Sequence, residues 1–283
     1  MAYKIGFTAE YPAEKKIEAT YTVQKEQPTP RRSVVQVSFP GRGMSLAYYN
    51  DSFDLKCGDL VYVDGKLEGQ LGRVTEVNYN FRIRVSDYKR VIAVVDTEVH
   101  GQFYIAGSHF VTFDRDVLPR ETVMPWFKAP ARDDDEFVSG SDVTSFCLDA
   151  LEDMNINEAI AERGYGYYRE NKVRYISIDG TRGYTIVEGS ENYEVEFDYL
   201  DGEVNYGGLG YYDREISGLT CSCFCSYNCK HEFAAMLQLK ETLTLIERNY
   251  QDEFVRTGYF AAVDKGTLFR FAIDSKTSGT FTL

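Results

Sequence analysis

Residues 219–237 read LTCSCFCSYNCKHEFAAML, and this stretch decides how the carboxyl-terminal half is built. Cys221, Cys223, Cys225 and Cys229 fall within nine positions, and His231 follows two places after the last of them. A disulfide framework spreads cysteines so that bridges join distant segments, whereas a cluster this dense with a histidine beside it points to a metal. Thiolate and imidazole are the ligands a borderline-soft ion such as Zn²⁺ prefers. The spacing divides the cluster in two. Cys221 and Cys223, one residue apart, fit a turn leaving a strand. Cys229 and His231, spaced likewise, fit the entry of a helix in which Phe233, Met236, Leu237, Leu243 and Ile246 form an apolar stripe. A helix start offers free backbone N–H groups and a positive dipole end, which favour a thiolate at Cys229. Five donors compete for the four positions of a tetrahedron, so one must stand aside. Four protein ligands close the shell and leave no position for a reactive water, so the site reads as structural.

Upstream, residues 143–172 are helical in pattern, with Phe146, Leu148 and Leu151 and then Ile156, Ala159 and Ile160, and an Asn157–Glu158 pair suited to starting the second helix. VRYISIDG (173–180), GYTIVEGS (183–190) and NYEVEFDYL (192–200) read as strands whose apolar positions alternate with Glu194, Glu196 and Asp198. That alternation predicts a sheet with one acidic, solvated face. NYGGLGYY (205–212) reads as a loop, without the strand-to-helix setting of a phosphate-binding glycine loop.

Cys-x-Cys, a short loop, then Cys-x-His before an apolar helix resembles the SWIM-type zinc finger. The resemblance covers roughly residues 155–245, because RGYGYYRENKVRYISIDG and GYTIVEGSENYEVEF are similar to the helix and strands that precede that finger. It implies that Cys221, Cys223, Cys229 and His231 hold a structural Zn²⁺. Cys225, in the short loop FCSYN, is then the alternative ligand that stands aside. It also implies binding to DNA or to other proteins.

The amino-terminal half reads differently. Val35, Val37 and Phe39 alternate with polar neighbours, Leu60–Val63 and Val91–Val95 are short apolar runs, and glycines at 58, 65, 69 and 72 punctuate them. Short strands and glycine turns predict a small β-barrel over residues 33–118. CGDLVYVDGKLEGQLGRVTEV (57–77) is similar to KOW-type small barrels and, more distantly, to the amino-terminal DNA-binding domain of primosomal helicases. If Phe81, Ile83 and Val85 point inward, Arg82 and Arg84 point outward, with Lys89, Arg90, Tyr79 and Tyr88 close by. Basic residues interleaved with aromatics suit single-stranded nucleic acid. The same face also suits a solvated edge that resists pairing with other chains.

Around these two units, residues 1–32 read as a strand or arm with a linker, and residues 119–142 as an acidic, proline-containing linker. Residues 143–250 form the SWIM-like unit, and 251–283 read as a β extension on its edge. The overall expectation is an α+β protein: a small barrel, then an antiparallel sheet with helices and a zinc finger. Apolar residues are 43% of the 283 and charged residues 27%, which excludes a wholly disordered chain. No run approaches a membrane span, and the start lacks a signal-peptide core, so the reading is cytoplasmic. The formal charge is −13. Residues 31–100 hold ten basic and nine acidic side chains, whereas 141–283 hold thirteen and twenty-four. Any phosphate contact therefore belongs to 31–100, and the finger half favours a protein partner. His100 and His109 read as ordinary polar or core histidines with no nucleophile motif beside them, so no enzyme activity is expected.

Overall fold

In the computed structural model, residues 4–6, 30–130, 145–154, 156–206, 209–225 and 228–273 are described. Two antiparallel sheets organise them. The strands of the smaller sheet are β2 (Ser33–Phe39), β3 (Met44–Asn50), β4 (Leu60–Val63), β5 (Gly72–Asn78) and β6 (Val91–Val94), in the order β3-β2-β5-β4-β6. The larger has nine strands in the order β1-β7-β8-β14-β10-β11-β12-β13-β9. These are β1 (Lys4–Gly6), β7 (Gln102–Ala106), β8 (Phe110–Phe113), β9 (Phe146–Cys147), β10 (Val173–Asp179), β11 (Arg182–Glu188), β12 (Asn192–Tyr206), β13 (Leu209–Cys221) and β14 (Tyr259–Asp264). The helices are α1 (Arg120–Val123), α2 (Glu158–Arg169), α3 (Lys230–Asn249), α4 (Gln251–Thr257) and α5 (Lys265–Leu268).

The large sheet is the middle of three layers, because its central strands are apolar on both faces. On one face Ile176, Ile178, Val187, Val195, Phe197 and Ile216 pack with Phe233, Met236, Leu239, Leu243 and Ile246 of α3. Burying side chains of this size stabilises by about 1.5–3 kcal/mol each relative to exposure. On the other face Tyr175, Tyr184, Ile186 and Val263 meet Leu118, Trp126, Leu268 and Phe271, and also Leu60 and Tyr62 of the small sheet. The run LVYV at 60–63 is buried throughout for this reason. Val61 and Val63 serve the small sheet's own core, while Leu60 and Tyr62 face the large sheet. Alternation in β2 gives a regular buried and half-buried pattern.

Several expectations change. No closed barrel forms over 33–118: a single parallel bridge, Tyr49 to Arg90, links β3 to the approach of β6, and β7 and β8 join the large sheet instead. Residues 119–130 are not a free connector. Trp126 stacks on Phe271 at 5.3 Å and donates its indole N–H to the Asp96 carbonyl at 2.7 Å. The acidic stretch 131–144 lies outside the described residues, as do the arm at 7–29 and the tail at 274–283. The carboxyl-terminal strand is no edge extension: β14 lies between β8 and β10, and α5 and a π turn (Phe269–Ile273) follow it. NYGGLGYY is not a wide loop either, since Tyr206 pairs with Leu209 in the β12–β13 ladder. Asn157 does cap α2, its side chain accepting from the Ile160 N–H at 2.9 Å.

Candidate metal centre

The four donors arrive from two elements. Cys221 closes β13, where it pairs with Val195 of β12, and Cys223 lies on the turn that follows. Ser222 fixes that turn. Its N–H donates to the Glu194 carbonyl and its hydroxyl accepts from the Glu194 N–H, both at 2.9 Å. Cys229 is the N-cap of α3, and His231 sits in the first turn of that helix. Cys229 accepts from the Glu232 N–H at 3.5 Å, and Glu232 reaches back to accept from the Cys229 N–H at 2.5 Å. This reciprocal arrangement is a capping box with sulfur in place of a hydroxyl. The pattern Cys-x-x-Glu at 229–232 was the signal for it, and sequence reasoning missed Glu232 because thiols are not the usual capping groups.

The ligand atoms of Cys221, Cys223, Cys229 and His231 all lie within 4.8 Å of one another. His231 Nδ1 is 3.8 Å from Cys221 Sγ and 3.7 Å from Cys229 Sγ. A tetrahedral zinc with its usual Zn–S and Zn–N lengths requires a separation of about 3.6 Å, so the donors are placed to accept such an ion. Cys225 is exposed and outside the group. The imidazole ring is held flat against Tyr193, with centroids 4.0 Å apart, and edge-on to Tyr167 at 5.4 Å.

Burial sets the electrostatics. It pushes the Cys223 thiol up to about 12. The Cys229 thiol is raised as well, by its hydrogen bond with Cys221 and by burial. Burial lowers His231 to about 4, so its imidazole is neutral and able to bind a cation. The Glu232 carboxyl is raised by burial. Thiolates crowded in a dry site beside a carboxylate need a cation, which is what a metal supplies.

The sign of the pH dependence follows. Metal-bound thiolates titrate below free ones, so the metal's contribution is present at high pH and is lost as pH falls. Three competing thiol protons give an expected decline in affinity of up to about three decades per pH unit. His231 adds nothing until pH nears 4. Metal release measured with a chromogenic chelator from about pH 8 down to pH 5 checks this, and a slope of one proton or fewer would remove the thiols as ligands.

The other candidate face is assembled differently from its expected strand. Residues 79–84 lie outside any strand, and a single 3-10 turn spans Val85–Asp87. Val85 is exposed rather than inward, so the alternation does not run through it. Arg82, Arg84 and Lys89 are exposed on this loop, while Tyr88 is half-buried. Arg90 is held by Asp51 at 2.6 Å and lies over the Tyr49 ring at 5.4 Å. Tyr79 is capped by Arg31, whose guanidinium lies 4.4 Å above its ring. His100 is exposed beside Glu98 at 3.5 Å, and the His109 ring packs on that of Phe110 with centroids 4.0 Å apart.

Comparison with known proteins adds little beyond this geometry. No family model matches the chain. An uncharacterized protein of Methanocaldococcus jannaschii is 40% identical to it over 81 residues, which is 29% of this chain and 29% of that relative. The matched region therefore spans under a third of the relative's length. No solved structure matches. No helix among the described residues is long and apolar enough to cross a membrane.

Proposed function

We propose that the protein is a zinc-stabilised, non-catalytic interaction module of SWIM type that binds a protein partner through its acidic carboxyl-terminal half. The observation that carries this reading is the convergence of Cys221, Cys223, Cys229 and His231, with every ligand atom within 4.8 Å of the others. Four protein ligands leave no vacancy for a metal-bound water, so the ion's role is to tie the end of β13 to the start of α3. The charge imbalance of residues 141–283 disfavours a phosphate backbone. Between the two donor pairs, Phe224 presents its whole ring to solvent, which suits contact with an apolar surface on a partner. A thiolate centre of this kind belongs to a reducing, cytoplasmic setting.

The second reading is nucleic-acid binding through the loop at 79–90, favoured by three exposed basic side chains, Arg82, Arg84 and Lys89, beside the Arg31–Tyr79 stack. One titration separates the two. Full-length protein is titrated with single-stranded and duplex DNA over a range of salt, alongside the double variant Arg82→Glu/Arg84→Glu. The protein-binding reading expects no saturable DNA binding near about 0.15 M salt. Steep salt-dependent binding abolished by the double variant would establish the loop as the interface. Binding that survives it would place DNA on the finger half and overturn the first reading.

A further inference from the structure

On the face of the large sheet opposite α3 lies a cavity of about 260 Å³. Its floor comes from three neighbouring strands: Tyr175 on β10, Tyr184 on β11 and Tyr259 on β14. Ser177 faces Tyr184 across one ladder and Asp179 faces Tyr259 across the other, which puts these side chains on a single sheet face. None of the three buried hydroxyls makes a well-aligned hydrogen bond, although that of Tyr175 lies beside Ser177 and the Tyr259 hydroxyl, and that of Tyr184 beside Arg120; Tyr175 is fully buried. Its ring meets that of Tyr184 edge-on at 6.0 Å. Buried hydroxyls held only by poorly aligned neighbours cost stability, and three of them gather on one cavity. Burial also raises the pKa of each phenol above its ordinary value, so all three remain O–H donors at physiological pH.

The mouth is cationic. Arg115 and Arg120, on the segment after β8, and Arg182, at the start of β11, line it against two carboxylates, Asp179 and Glu121. Asp179 is engaged by Arg115 at 2.8 Å. Arg120 lies 3.7 Å over the Tyr184 ring while holding Glu196 at 3.3 Å. Each guanidinium has five N–H groups, so these contacts leave donors free to point inward. Arg182 is exposed at the rim.

We propose that this cavity binds a phosphate-type oxyanion, with the hydroxyls of Tyr175, Tyr184 and Tyr259 donating from the floor and the guanidiniums of Arg115, Arg120 and Arg182 from the mouth. The number of donors exceeds what the two oxygens of a carboxylate accept, whereas a phosphate has three or four oxygens spread tetrahedrally. To reach the phenols the group must be terminal, which selects inorganic phosphate or a phosphate monoester over a diester backbone. The site is separate from the metal cluster and does not depend on the role proposed for it.

The test is calorimetric titration of the full chain, as purified, with inorganic phosphate, phenyl phosphate and acetate. Saturable binding of inorganic phosphate or phenyl phosphate below about 10 mM is expected, with acetate at least tenfold weaker. Tighter inorganic phosphate identifies a free-anion site, and tighter phenyl phosphate an ester headgroup. Tyr175→Phe should weaken binding about tenfold while changing the melting temperature by no more than about 4 °C, because the lost hydroxyl has only the poorly aligned neighbours Ser177 and Tyr259 in the folded protein. Arg182→Gln, at the exposed rim, should weaken binding similarly without disturbing the fold. Absence of saturable binding by both phosphates, affinity unchanged in both variants, or acetate binding as tightly as phosphate would each overturn the proposal.

Discussion

Removal of the metal should lower the melting temperature of the full chain by about 8–16 °C. A ligand held at a thousand times its dissociation constant stabilises by about 4 kcal/mol, and a chain of this size shifts by about 2–4 °C per kcal/mol. Isolated finger peptides depend on zinc for far more than this. Here the nine-stranded sheet and α3 share a large apolar core, so the loss should be partial and centred on the first turn of α3. The variants should rank. Cys229→Ala should be the most damaging, because Cys229 is buried and caps α3 as well as offering a ligand. Loss of the cap alone costs about 0.5–2 kcal/mol. Cys223→Ala should lose the metal without disturbing the cap, and Cys225→Ser should retain it, since Cys225 lies outside the cluster. Metal content, the thiolate charge-transfer bands of the cobalt-substituted protein, and melting with and without chelator are the measurements. Material containing no metal, or a melting temperature indifferent to chelator, would remove the metal centre. Cobalt spectra showing an exchangeable water would restore the case for catalysis.

Replacement of Gly164 by leucine should destabilise by about 2–3 kcal/mol and weaken metal binding, although leucine is the better helix former by nearly 1 kcal/mol. The reason is contact rather than propensity. A Cβ at Gly164 of α2 would sit 2.6 Å from Phe233 Cδ1 and 3.1 Å from the Lys230 carbonyl oxygen. Phe233 is buried, and Lys230 opens α3 between the two ligands Cys229 and His231. The first turn of α3 must therefore move away, and the metal ligands move with it. Gly166, two residues along the same helix, is the control, because a Cβ there meets nothing within 4 Å. Gly166→Ala should stabilise by about 0.5–1 kcal/mol and leave metal affinity unchanged. Denaturant unfolding with competitive chelation measures both quantities. Equal responses at the two glycines would show that α2 does not position the site.

The Cys/His group was legible because its signal is local. Two pairs at fixed spacing, one ending a strand and one starting a helix, bring four ligands together whatever the rest of the chain does. The choice of Cys225 as the outsider came from the SWIM resemblance, and the structure leaves that thiol exposed outside the cluster. Period-two patterns likewise located β10, β11 and the start of β12, and Asn157 marked the start of α2.

Long-range pairing was not legible. A strand's periodicity records which face is buried but carries no record of its neighbour. So β7 and β8 read as part of an amino-terminal barrel, yet Thr112 of β8 donates its hydroxyl to the Ala261 carbonyl of β14 at 2.7 Å, from the far end of the chain. Trp126 read as part of a linker because the partner that buries it, Phe271, is also remote in sequence. The residues at 79–90 kept their exposed charges but lost their strand, because alternation over five residues is too short to outweigh the pairing available to β5 and β6. The tyrosine-floored cavity had no sequence signature at all. Sequence by itself marked the Cys/His group, the helix that carries half of it and the acidic character of that half. Tertiary structure decided which strands adjoin and which buried hydroxyls gather on one cavity, because both depend on contacts between segments far apart along the chain.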